Sequence, residues 1–135
     1  MRGDVTLGLA SLPASTALQS FNASLRKVGD ARRPELYADL IIATEDVGES
    51  AELYVAAKSG SNWYFHNGTT WLRVGDPLQG FPASYRGPLA SSHSIKLLAG
   101  TDIATLGQIT LFAGYGFDNL DMLQNSRYKV IGVLN

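Results

Sequence analysis

The chain contains no cysteine. Disulfides, thiolate nucleophiles and cysteine-based metal sites are therefore excluded. The compartment stays open, because cysteine-free chains occur in reducing and oxidising surroundings alike. Histidine is scarce too, with two in 135 residues, His66 and His93. They lack the spacing by which two histidines on one helix face hold zinc. There is no Gly-x-Ser-x-Gly nucleophile elbow. Gly114-Tyr115-Gly116 is an isolated GxG without the Gly-Lys-Ser/Thr of a phosphate loop, and it reads as a kink from strand into turn. Neither sign of charge is in excess: 11 Lys and Arg face 12 Asp and Glu, for a net charge of −1. The pairs Arg26-Lys27 and Arg32-Arg33 are too sparse for the basic patch that nucleic acid requires. No stretch reaches the roughly 18 apolar residues of a membrane span. The first residues also lack the continuous apolar run of a signal peptide.

What is present is alternation. Residues 4–10 place Val5, Leu7 and Leu9 on one side of a strand. Residues 16–28 are ambiguous. Leu18, Phe21, Leu25 and Val28 fall at helical spacing between a capping Ser15 and a terminating Gly29, while Phe21, Ala23 and Leu25 also fit a strand. The helix is favoured. Strands follow over 36–44 (LYADLIIAT), 52–58 (ELYVAAK), 93–98, 108–115 and 127–134. Residues 75–88 carry three of the five prolines and read as a surface loop whose Phe81 and Tyr85 tuck back onto the body. Asp118 is a good N-cap for one or two helical turns over 118–123, with Asp121 three residues on as in a capping box. The whole predicts an all-β chain: an antiparallel β-sandwich of about eight strands with one or two short helices. Residues 1–135 form a single domain, with 1–35 as a possible N-terminal extension.

The densest feature is NWYFHNGTTWLRV, residues 62–74. Asn67-Gly68 is a strong hairpin signal, because a two-residue type I′ turn needs positive φ at both central positions. That turn pairs Tyr64 with Trp71 and Trp63 with Leu72. One face then holds Trp63, Phe65, Leu72 and Val74, has no charge, and is expected in the core. The other holds Tyr64, His66, Trp71 and Arg73. It is the candidate ligand-binding surface, suited to a sugar ring or a protein partner.

Carboxylates sit mainly in turns. The only candidates for calcium are Asp46 with Glu49, and Asp118 with Asp121, and neither set matches an EF-hand loop. No other cofactor is expected.

Two stretches together resemble a known module. They are Leu53-Tyr54-Val55-Ala56-Ala57 with Trp63-Tyr64-Phe65 and Trp71, then Gly114-Tyr115-Gly116, Asp121-Met122-Leu123 and Arg127-Tyr128. This pattern is similar to β-sandwich modules of large secreted and surface proteins of Gram-negative bacteria. The likeness spans about the last 100 residues and is looser before Leu36. It implies a non-enzymatic, extracellular structural or adhesive module without catalytic residues, and a Met1 that is an artificial or processed start. Partners are then a protein or further copies of the chain, or a glycan held by the hairpin. A filament subunit that adds residues 4–10 to a neighbour's sheet is a further expectation.

Overall fold

A computed structural model describes residues 21–134. The strand expected over 4–10 and the first part of the 16–28 segment lie outside them. Nine strands are described: β1 (Asn22–Val28), β2 (Glu35–Ile41), β3 (Ser50–Ser59), β4 (Asn62–His66), β5 (Trp71–Val74), β6 (Tyr85–Pro88), β7 (Ser92–Ala99), β8 (Ile109–Gly116) and β9 (Tyr128–Leu134). One α-helix, α1 (Asn119–Gln124), follows β8. All pairings are antiparallel. The strands form two sheets, β1-β2-β7 and β5-β4-β3-β8-β9, and β6 joins the second through β3. The expected all-β sandwich is the fold.

Residues 22–28 are strand, not helix. Alternation wins over helical spacing here because Ala23 and Leu25 pair with Leu40 and Ala38, and all four turn toward the opposing sheet. Strand β6 lies within the proline-rich stretch that reads as loop. It pairs Leu53 with Tyr85, on the same edge of β3 that β4 occupies further along.

The core follows from period two. Leu36, Ala38 and Leu40 of β2 and Ile95 and Leu97 of β7 meet Leu53, Val55, Ala57, Leu111, Ala113 and Tyr115 of β3 and β8. The residues between them on β3 are also apolar and buried. Tyr54 turns to the other side, onto Met122 and Leu123 of α1. The sheet thus carries a second, outer layer made by α1 and residues 77–83. Asp118 caps α1 as expected, accepting from the Asp121 amide at 2.8 Å. Asp121 answers by accepting from the amide of Phe117 at 2.9 Å, one residue before the cap.

Helix α1 and the chain leading from it into β9 lie so close that β8 needs glycine. A Cβ on Gly114 would stand 2.2 Å from the carbonyl oxygen of Arg127, and one on Gly116 would stand 2.7 Å from the Met122 amide nitrogen. Both obstacles are backbone and cannot swing away. We predict that Gly114→Ala lowers the unfolding free energy by about 3 kcal/mol or more. Gly75→Ala, where a Cβ meets open space, should stay within about 0.5 kcal/mol of wild type. Urea midpoints of the two variants check this, and similar midpoints would refute the close-approach account.

Candidate functional site

The hairpin forms, with a different turn. His66 pairs with Trp71, Phe65 with Leu72, Tyr64 with Arg73 and Trp63 with Val74. The loop is the four residues 67–70, closed by the Asn67 amide donating to the Thr70 carbonyl at 3.0 Å. Only Gly68 takes positive φ, at 103°. Asn67 stays in ordinary backbone and caps the loop with its side chain, whose Oδ1 accepts from the amides of Thr69 (3.0 Å) and Thr70 (2.9 Å). A side-chain turn thus replaces the type I′ turn. The register moves by two residues, which leaves each side chain on its expected face.

The destinations of the two faces are the reverse of the expectation. Tyr64 and Trp71 point inward and pack on the core between the sheets, and His66 is 1% exposed. The indole N–H of Trp71 donates to the Leu97 carbonyl of β7 at 3.1 Å, joining the edges of the two sheets. Arg73, also on this side, reaches solvent near the strand end and donates to Asn62 at 2.9 Å. Of the face expected in the core, Phe65 is buried, Trp63 and Val74 are half-buried and Leu72 is 43% exposed. The reason is that both faces carry aromatics, so lack of charge does not mark the inner one. What covers Tyr64 and Trp71 is the opposite sheet.

Tyr64 and Trp71 also border a partly open cleft of about 270 Å³ at one end of the sandwich. Leu97 and Leu98 of β7, Ile109 and Leu111 of β8 and Leu134 of β9 form much of the remaining wall. Leu106 enters from the loop after β7. That loop is pinned by Asp102, which accepts from the Ala104 amide at 3.0 Å and pairs with Arg32 at 2.9 Å.

On the outside of the larger sheet the registers align a row across five strands: Leu72, Phe65, Ala56, Phe112 and Val130. Phe81 stacks on Phe65 with centroids 4.1 Å apart, covering the middle of the row. Its ends are open, with Val130 56% exposed. Trp63 lies beside it, 5.4 Å from Phe112, with the Lys58 ammonium over its ring at 5.4 Å. This row was missed in sequence because it depends on cross-strand register. The signal available was that Phe112 alternates away from Ile109, Leu111 and Ala113.

Three of the four acidic candidates are engaged elsewhere. Asp46 accepts from the Tyr115 hydroxyl at 2.6 Å. Arg127 lies between Asp46 (4.0 Å) and Asp121 (3.7 Å). Burial, and then Asp46, push the Tyr115 phenol well above its ordinary pKa. Asp118 is committed to capping, and Glu49 is exposed on the turn before β3. Among the described residues no group of three or more His, Asp or Glu is placed to hold a metal ion. His93 accepts from the Ala90 amide at 2.9 Å, and burial lowers its pKa.

His66 is the inward group most open to test. Its Nδ1 accepts from the Gly68 amide at 3.2 Å, and burial holds its pKa below the ordinary value. The neutral ring is therefore the folded form. The stability it contributes is complete above about pH 6.5, the unfolded value, and is lost as pH falls toward the lower folded value. A folded His66→Gln variant should lose less stability than wild type between about pH 7.5 and 5.5. Equal losses in urea titrations at the two pH values would contradict the buried neutral ring.

No family model, no curated protein and no solved structure matches the chain.

Proposed function

We propose that the chain is a non-enzymatic structural or adhesive module of an extracellular bacterial assembly, and that it packs side by side with further copies through the outside of its larger sheet. The observation that carries this reading is the difference between the two outer faces. Outside the smaller sheet, Arg26 pairs with Asp39 at 2.7 Å and lies over the Tyr37 ring, and Ser94 donates to Asp39. The Arg26 guanidinium holds the Asp39 carboxyl below its ordinary pKa. This polar ladder fills the middle of that face, and Val28 and Ile41 are exposed only at its two ends. The larger sheet instead carries the row from Leu72 to Val130, with Val133 also exposed. Phe81, itself half-buried, covers the middle of the row, and the exposed apolar side chains are Leu72 at one end and Val130 and Val133 at the other; exposed apolar surface marks interaction sites.

The extracellular setting is supported by the motif resemblance between residues 53 and 128. A sugar-stacking role for Tyr64 and Trp71 finds less support, since stacking needs an open aromatic platform and these rings face the opposite sheet. Assembly through residues 4–10 concerns residues outside those described.

The test is association of the full chain. Sedimentation velocity across a wide range of concentration should show assembly. The double substitution Leu72→Glu with Val130→Glu should abolish it while leaving circular dichroism unchanged, because both side chains are exposed. A wild-type chain that stays monomeric throughout, or assembly that survives the double substitution, would overturn the proposal.

A further inference from the structure

The end cleft is independent of the outer row and points to a ligand. Among the described residues its wall contains no Asp, Glu, Lys, Arg or His. A charged group would lose its hydration there and find no counter-charge. Among the described residues of the wall, two hydroxyls are the polar side-chain groups apart from the Trp71 indole, whose N–H is already bonded to Leu97. They belong to Ser59, at the end of β3, and Tyr64, on β4. Neither makes a side-chain hydrogen bond with another described residue. The rest of the wall is aliphatic and aromatic. A purely apolar cavity of roughly 150 Å³ accepts benzene. At about 270 Å³, this cleft has room for a chain or ring system of about ten non-hydrogen atoms on the same scale.

We propose that the cleft binds a small uncharged ligand made of an alkyl or aryl body and one hydroxyl or carbonyl end. The body lies against Trp71, Leu97, Leu106 and Ile109, and the polar end meets Tyr64 and Ser59. The site resembles known ligand pockets in kind: concave, mostly apolar, with a few polar groups that orient the occupant. The same alkyl chemistry is offered by a free alcohol and by a lipid chain, and the experiment separates the two.

The chain has two tryptophans, Trp63 and Trp71. Trp63→Phe, on the opposite face of the sheet, leaves Trp71 as the sole reporter in the cleft wall. Titrating this full-length variant with decanol should give a saturable change in Trp71 emission. Phosphatidylcholine vesicles form the second arm. A response to decanol alone assigns a free ligand, and a saturable response to vesicles assigns a lipid-borne chain. Adding Tyr64→Phe should weaken decanol binding about fivefold, the value of one net hydrogen bond, and leave binding of decane unchanged. No saturable response in either arm overturns the proposal, as does an equal effect of Tyr64→Phe on decanol and decane. A response that appears only after Val5→Asp and Leu7→Asp in the full chain also overturns it, because the cleft would then be a seat for the chain's own first residues.

Discussion

The structure depends on one constraint: the central strand pair β3 and β8 must be buried on both faces. Leu53, Val55 and Ala57 on one side and Tyr54 and Ala56 on the other are all buried, and the facing Leu111, Ala113, Gly114, Tyr115 and Gly116 are buried with them. A strand of an antiparallel sheet normally shows one side to water. Here each side needs a cover, and the chain supplies two different ones. The smaller sheet closes the inner side. A six-residue helix and a proline-rich segment close the outer side only in part, and this incomplete cover leaves Phe112 half-buried and Val130 exposed.

The partial cover also explains why glycines sit in the middle of β8. Glycine weakens a strand by its backbone freedom, so its presence at both 114 and 116 needs a return. The return is close approach. The chain leaving α1 lies on β8 at backbone distance, and this brings Arg127 between Asp46 and Asp121 and sets Tyr115 against Asp46. The acidic residues that stand out in the sequence are thereby tied to packing, Asp121 to the chain leaving α1 and Asp46 both to Arg127 and to Tyr115 of the inner core. Their chemistry is spent on joining the turn after β2, the end of β8 and the start of β9.

Much of this was legible beforehand. The strands expected over 36–44, 52–58, 93–98, 108–115 and 127–134 form as β2, β3, β7, β8 and β9, because alternation with β-branched and aromatic residues was sustained over each; β2 ends at Ile41, before the 3-10 turn Thr44–Asp46. The Asp118 cap was readable because capping is local. What failed was nonlocal. At residues 22–28 the same apolar positions satisfied two periods, and pairing with β2 chose between them. Tyr85–Pro88 forms a strand against its composition because β3 offers it an unpaired edge. At the hairpin, the division of side chains into two faces was right, since a shift of two residues preserves it. The assignment of the faces to inside and outside was not, because Trp63 and Phe65 are as apolar as Tyr64 and Trp71. Period two says which residues travel together, and says nothing about which side the second sheet lies on.

The same ambiguity bears on function. A hairpin aromatic on both faces serves two surfaces at once. Its inner face helps close the sandwich, through Trp71 bonded to β7, and leaves a cleft where that closure is incomplete. Its outer face contributes Phe65 and Leu72 to the row that crosses the sheet. The Trp71–Leu97 bond is therefore placed to hold both surfaces: it fixes the edge of β5 against β7, which shapes the cleft, and so fixes where Leu72 stands at the end of the row. A ligand in the cleft would press on the inner side of the strands whose outer side carries the row. The two surfaces are separate in chemistry and joined by one sheet, whose thickness is a single layer of backbone.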